Sequence, residues 1–384
     1  MADGNYVVYS LTVNGYAISQ HVVDVEVRES YGLHDIVILS MQLPGPVTTP
    51  SRINTWEQNS AVSMKYGIRG GTPAMWYGYV NHSEYVTEGA GGGTLMVRYV
   101  LIGTSKVLND DQTRSWKNVS PSYVARKLAA EHGMRAVVNA YRQKTSYDAQ
   151  AGESDFEFLN RMAERIGWKF RVSGGTLYFQ DPSVLFFGAS EYAVPGFNMN
   201  RDAVSTDTVV NFKVLKGDNI PGSVKGQQQV NALDAKSGKS LTAKIGSGTT
   251  IIDKLYTNGS QASANQILAG KVNINKYWIN ASATLYGNQA VHPGTIINLG
   301  GAAMIDDYDG TWLVTCVRHY MSAAPSGNGP DIYTMDVEIA RNTATGVTFD
   351  KSQRVNPEFV TCHLRTDNTW ISDSMTAVID GKQA

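Results

Sequence analysis

The stretch Gln150-Ala-Gly-Glu-Ser154-Asp-Phe-Glu157-Phe-Leu-Asn-Arg-Met-Ala-Glu-Arg-Ile-Gly167-Trp168 carries the clearest structural signal in the chain. Ser154 and Glu157 have the spacing of a capping box, in which serine oxygen and glutamate carboxylate each satisfy an orphan amide of the first helical turn. Phe158, Leu159, Met162, Ala163 and Ile166 then recur at intervals of three and four, which lays one apolar stripe along a helix. Gly167 is placed to close that helix. Trp168–Val172, a Ser-Gly-Gly turn and Thr176–Gln180 read as a β-hairpin. Upstream, Ser120-Pro121 is a second helix start, with Val124, Leu128, Ala129 and His132 on one face and Gly133 as its stop. The middle of the chain is therefore α+β.

On both sides the periodicity changes to two. Val23, Val25 and Val27 alternate with Asp24, Glu26 and Arg28, which places valines in a core and charges in water. Further strands are expected at Tyr6–Val13, Asp35–Leu43, Ala61–Ile68, Met75–Val80 and Thr94–Gly103, punctuated by Asn14-Gly15, Pro44-Gly45-Pro46, Gly70-Gly71 and Gly89–Gly93. From Asp207 strands return, with Val210, Phe212 and Val214 on one face, then Trp278–Tyr286, Thr295–Leu299, Thr311–Tyr320 and Asp331–Ala340. Gly217–Thr250 is rich in Gly, Gln, Ser and Lys and reads as an extended polar loop or mobile arm; a helix is expected near Ser260–Asn275. The expected organisation is a β domain over 1–110, an α+β insert over 111–204, a second β domain over 205–345 with the polar loop 217–250, and a C-terminal tail over 346–384. Short strands at this spacing build small barrels or sandwiches. The β halves share no sequence repeat.

Composition narrows the function classes. Charged residues make up 17% of the 384, against about 25% in an ordinary soluble protein. The net charge of −1 gives no basic excess for a nucleic-acid-binding surface, and the aromatic content excludes a disordered chain. Low charge fits β-rich structure or a surface buried in partners. Two cysteines, Cys316 and Cys362, imply no disulfide framework. Met1–Tyr6 lacks the basic and apolar regions of a signal peptide, and no stretch approaches the ~20 apolar residues of a membrane span, so folding in a reducing cytoplasm is expected.

Catalytic motifs are weak throughout. Gly238-Lys239-Ser240 ends like a phosphate-binding loop, but Leu233 stands where that loop needs its first glycine. Gly89–Gly93 runs into a strand and reads as a hairpin connection. Cys316 and His319 are three apart on a strand and face opposite sides, so they cannot share a metal. Asp306, Asp307 and Asp309 crowd a segment whose Asp307-Tyr308-Asp309-Gly310 suits a tight turn, although paired carboxylates also serve hydrolases. Glu153, Asp155 and Glu157 suit a helix N-terminus, where the dipole favours anions. No metal ligand set, cofactor motif or nucleophile elbow is present, and no catalytic activity is expected.

Asn118–Met134 followed by Gln150–Phe179 resembles the phage late control gene D family, the baseplate hub proteins of phage tails, related to the hub part of type VI secretion valine-glycine repeat spikes. The C-terminal half agrees: His292-Pro293-Gly294 before a strand, Asp309–Val314, Val317-Arg318-His319 and Tyr333-Thr334-Met335 resemble its later strands, and Leu11–Gly15 its opening. Ser154, Asp155, Leu159, Gly167, Pro293, Gly294, Gly310, His319 and Tyr333 fall on the resembling motifs as structural positions. The resemblance implies two small β-barrel domains flanking a helix-containing insert. It also implies a homotrimeric, pseudo-sixfold ring that adapts a tail tube to a spike and surrounds a channel through which DNA passes. The spike is then expected to be a separate polypeptide. The implied partners are tail tube protein, spike and other baseplate proteins, in a virion assembled in the host cytoplasm. A tail-tip cell-wall hydrolase and a carbohydrate-binding β module are the competing readings.

Overall fold

The computed structural model describes residues 7–17, 22–42, 56–68, 71–88, 94–182, 195–198, 209–215, 226–233, 239–245, 249–256, 279–300, 308–322 and 332–341, four positions between 261 and 268, and short strands between 358 and 383. The N-terminal strands are β1 (Val7–Val13), β2 (Tyr16–Ala17), β3 (Val22–Ser30), β4 (Ile36–Gln42), β5 (Ala61–Ile68), β6 (Ala74–Glu88) and β7 (Thr94–Gly103). Then come β8 (Asp111–Val119), α1 (Pro121–Glu131), β9 (Arg135–Val138), β10 (Thr145–Ser154), α2 (Asp155–Ile166), β11 (Lys169–Ser173) and β12 (Thr176–Gln180). The C-terminal half contributes β13 (Gly196–Asn198), β14 (Val209–Leu215), β15 (Gly226–Leu233), β16 (Ser240–Ile245), β17 (Thr249–Tyr256), β18 (Ile279–Tyr286), β19 (Ile296–Gly300), β20 (Gly310–Ser322), β21 (Ile332–Arg341) and β22 (Glu358–Val360). The described chain is mainly β with two full helices.

Both helices begin where the sequence places them. The Ser120 side chain accepts from the Tyr123 amide, with Pro121 at the first helical position. On α2 the capping box is complete: Ser154 Oγ accepts from the Glu157 amide at 3.2 Å and Glu157 Oε2 from the Ser154 amide at 3.0 Å. Gly167 ends α2 with φ +73°, a conformation that costs glycine little. Leu128, Phe158, Leu159, Phe170 and Phe179 bury together where the helices cover the sheet β11-β12-β9-β22.

The two β regions share one thirteen-stranded sheet, ordered β14-β18-β21-β20-β3-β4-β7-β6-β5-β1-β2, with β13 and β19 branching from β20. Its seam is β3 against β20, antiparallel from Ser30 opposite Cys316 to Asp24 opposite Ser322. Val25, Val27, Leu39, Tyr99 and Leu101 belong to one apolar core, and Phe197, Leu285, Trp312 and Val337 to a second. The sheet is open: among the described residues β14 and β2 each pair along one side only.

Several expectations need correction. A bulge between Val22 and Asp24 buries Val22 and leaves Val23 half-buried. Glu26, expected in water, is buried because β20 supplies Arg318, which donates to its carboxylate at 2.6 and 2.8 Å, and Arg28 adds a third hydrogen bond. A bulge between Val209 and Asn211 buries Val209 and turns Val210 outward, 58% exposed. β6 runs well past the expected Val80, to Glu88.

The polar segment 217–250 is not one extended loop. Its described part forms β15 and β16, and β17 begins at Thr249 and pairs parallel to β15. Asn231 Oδ1 ties the ladder by accepting from Gln229 Nε2 at 2.8 Å and Thr242 Oγ1 at 3.3 Å. Residues 217–225, 234–238 and 246–248 lie outside the described residues. Of the expected helix near 260–275, Gln261, Ala264, Asn265 and Leu268 are described and helical, with Ala264 and Leu268 buried against Ala243. From the tail, β22 pairs antiparallel with β9, Phe359 opposite Val137.

Ser154→Ala removes one half of the capping box and is expected to cost about 1 kcal/mol. A urea titration checks this as a lower midpoint at unchanged slope; an unmoved midpoint would mean that the box adds no stability.

Candidate functional site

The densest group of buried polar side chains lies where the seam, the insert and the loop between β18 and β19 meet. On β3, Glu29 has the parity of Val25 and Val27, so its carboxylate points inward and is 3% exposed. On β20 the same rule buries His319 between Val317 and Met321, and β11 delivers Arg171. The loop supplies Val291, His292 and Pro293. Its backbone is pinned by Gly287 N to Tyr333 O at 2.8 Å, Gly294 N to Val314 O at 2.8 Å and Thr295 N to His292 O at 2.9 Å. A Cβ on Gly287 would run into the Tyr333 ring, so the close approach requires glycine. Gln289 extends the clasp to the first core region, donating to Thr72 O at 3.1 Å.

Each donor in this node has a defined role. His292 Nδ1 donates to Glu29 Oε2 at 2.6 Å. Arg171 Nη1 donates to Pro293 O at 2.9 Å, and its Nη2 lies 3.9 Å from Glu29 Oε1. His319 Nε2 donates to Val291 O at 3.0 Å, and the Tyr333 hydroxyl, 3.1 Å away, donates to His319 Nδ1. A carbonyl only accepts, so His319 is the neutral Nε2–H tautomer.

The electrostatics follow from burial and pairing. Burial alone would raise Glu29, but His292 and Arg171 outweigh it and hold the carboxyl at about 2. Burial presses His319 down to about 4, which keeps it neutral. Asp35, in the turn between β3 and β4, is pushed up to about 7 by burial and by the Glu29 charge, against the pull of Arg171. Burial also raises the Tyr66 and Tyr333 phenols.

Glu29, His292 and His319 place donor atoms within 4.8 Å of one another, a spacing that invites a metal reading. The hydrogen bonds weigh against it. Both His319 nitrogens are engaged, Glu29 holds His292 directly, and the Arg171 guanidinium already compensates Glu29. A divalent ion would have to break that network beside a buried cation. The arrangement is a structural clasp.

The predicted positions divide into groups. Pro293, Gly294, His319 and Tyr333 converge in the clasp. Ser154, Asp155, Leu159 and Gly167 lie on α2, where Asp155 accepts from His132 Nε2 at 2.7 Å, Gln150 Nε2 at 2.7 Å and Arg114 Nη2 at 2.9 Å, tying the end of α1 to the start of α2. Gly310 opens β20 with φ +120°. Cys316 is half-buried on the face opposite His319, in a shallow groove with Arg28, Arg318 and Glu338. Asp309 offers its carbonyl to Arg341 at 3.3 Å, while Asp306, Asp307, Gly238 and Gly89–Gly93 lie outside the described residues. Lys239 and Ser240 lead into a strand, not the helix that a phosphate loop requires. Sequence reasoning missed Glu29, Asp35, Arg171 and His292. The parity of Glu29 with Val25 and Val27 was the available signal.

Comparison with known proteins gives this architecture its context. Residues 54–218 match the phage tail baseplate hub (GPD) family. The hub match runs from the approach to β5 through the whole insert to just beyond β14. A tail protein from Neisseria meningitidis shares the fold with a TM-score of 0.63 at 12% identity, over 88% of this chain and 97% of that one. A 43 kDa prophage tail protein from Shewanella oneidensis gives 0.62 at 14% identity, over 88% and 99%. An E. coli component of the type VI secretion system gives 0.54 at 12% identity, over 91% and 79%. No curated protein sequence matches. The fold thus occurs in two phage-type tail proteins and in a type VI secretion component.

The clasp predicts a pH profile. Glu29 is depressed from 4.5 to about 2, so its contribution is complete above pH 4.5 and lost as pH falls through 2. His319, depressed from 6.5 to about 4, contributes fully above 6.5 and loses this towards 4. Asp35, raised from 3.8 to about 7, contributes fully below 3.8 and loses this as pH rises through 7. The last two oppose one another between pH 4 and 6.5, so their sum is level there, and an acid limb follows as Glu29 protonates. Urea midpoints across this range check it. Glu29→Gln strands Arg171 and is expected to cost about 3–5 kcal/mol near neutrality while flattening the acid limb; an acid limb unchanged in that variant would refute the assignment.

Proposed function

We propose that this chain is a structural hub subunit of a phage tail baseplate or a related injection particle, acting as a homotrimer without catalytic activity. The observation that carries this reading is the hub-family match over residues 54–218. The sheet topology supports it. Two β regions with separate cores share one sheet whose ends, β14 and β2, are each paired on one side among the described residues. Heterologous contacts between such ends make a closed ring when the rotation per copy closes. Edge strands that would be a liability in a monomer then become the adhesive.

In this reading each β region rounds into a small barrel in the assembly, and three chains supply six quasi-equivalent barrels. Such a ring docks a sixfold tail tube on one face, presents threefold symmetry to a spike on the other, and encloses the channel that DNA traverses. Other baseplate proteins contact its rim, and the assembled ring resides in the virion tail. The net charge of −1 suits a channel that passes DNA without retaining it. A tail-tip hydrolase or a glycan-binding module would instead act alone on cell-wall polymer.

Light scattering behind size exclusion is expected to give a mass near three times 41.8 kDa, alone or after mixing with tube and spike proteins. A chain that stays monomeric with both partners present, and that cleaves or binds peptidoglycan, would overturn the hub reading.

A further inference from the structure

Three buried polar atoms at the clasp lack a hydrogen-bond partner, Asp35 Oδ1, Arg171 Nε and the Tyr66 hydroxyl, and the first two are of opposite kind. We propose that Arg171 is a two-position switch, bonded to the 287–295 loop while Asp35 holds a proton and drawn to Asp35 once that proton leaves, so that one deprotonation unclasps the loop.

The arrangement seen is the one we assign to protonated Asp35, which burial raises to about 7. Arg171 Nη1 holds Pro293 O at 2.9 Å, and the Ser173 hydroxyl hydrogen-bonds the Asp35 carboxyl. An uncharged carboxyl asks little of a guanidinium; an ionised one in a dry compartment asks a great deal. Pairing Asp35 with Arg171 would satisfy both orphan atoms at once. Once ionised, Asp35 pulls on Arg171 harder than Glu29 does. Glu29 is not stranded when Arg171 turns, because His292 Nδ1 holds it at 2.6 Å against 3.9 Å for Arg171. What the turn gives up is the bond to Pro293 O, the direct tie between insert and loop.

The other titratable groups facing this compartment do not supply the trigger. Glu29 on β3 stays ionised, and His319 on β20 stays neutral, with the carboxyl at about 2 and the imidazole at about 4. Tyr31, Tyr66 on β5 and Tyr333 on β21 are raised by burial and remain phenols. Tyr178 on β12 lies under the Arg171 guanidinium, 5.6 Å from ring centre to carbon, and gives it a surface to turn on. Cys316 lies on the opposite face of β20 and does not face the compartment. Asp35 loses its proton at about 7; His292, which holds Glu29, is the neighbour that a variant must separate from it. This switch goes beyond the hub reading and does not rest on it.

Hydrogen exchange of the full chain, corrected for the intrinsic pH dependence of exchange, tests the proposal at the Gly287, Val291, Gly294 and Thr295 amides. Between about pH 6 and 8.5, protection of these amides is expected to fall about tenfold relative to core amides of β20, one pKa unit's worth of bias. Asp35→Asn, a near-isostere of the protonated acid, is expected to hold them protected throughout, and His292→Gln to keep the decline. Loop protection that tracks the core in the native protein, a decline that survives Asp35→Asn, or one abolished by His292→Gln would each overturn the switch. Should Asp35→Asn fail to fold, the carboxyl carbon shift of Asp35 in the native chain decides: ionisation in step with loop opening supports the switch, and a carboxyl already ionised at about pH 5 refutes it.

Discussion

Glu29 is the constraint around which the centre of the molecule is arranged. The two-residue period of β3 turns its side chain to the same side as Val25 and Val27, and a carboxylate buried there is tolerable only if hydrogen-bond donors and a cation meet it. No neighbour on β3 itself can do so. The compensation comes from His292, some two hundred and sixty positions later, and from Arg171 in the insert. One buried charge therefore requires three distant segments to close on one another. The pinned loop, the glycine against the Tyr333 ring and the neutral His319 are the fittings of that closure.

The seam between β3 and β20 sets the larger frame. It makes one sheet of two β regions while leaving each its own apolar core. Across the seam, the Arg318 fork on Glu26 repeats at the surface what His292 does for Glu29 in the interior. A sheet assembled in this way transmits the position of one core to the other through hydrogen-bonded strands.

The insert is built on a different principle. Its helices cap locally, pack on a short sheet, and are tied to each other by Asp155, on which His132, Gln150 and Arg114 converge. The insert meets the β regions at Arg171, at the Gly32 amide, which donates to Phe170 O at 2.8 Å, at the Gly175 amide, which donates to Thr104 Oγ1 at 2.9 Å, and where the His34 and Phe156 rings lie 4.0 Å apart.

Periodicity and capping were readable along the chain because they are local. The Ser154–Glu157 box, the Pro121 start, the Gly167 stop and strands such as Ala61–Ile68 depend on residues within a few positions, and all stand as read. Bulges were not readable: one inserted residue moves Val210 outward and Val22 inward, and which partner strand accommodates the bulge is a long-range matter. The strands in 226–256 carried little period to read: among the described side chains only Leu241 and Ala243 turn to a core, and that core is small. The clasp was half visible. Pro293, His319 and Tyr333 stood out as motif residues, but their meeting with Glu29, Asp35 and Arg171 exists only once β20 lies on β3 and the insert folds back. Local sequence chooses helix, strand and turn through short-range sterics and hydrogen bonds; burial of charge is a property of packing, and packing brings together residues that the chain keeps far apart.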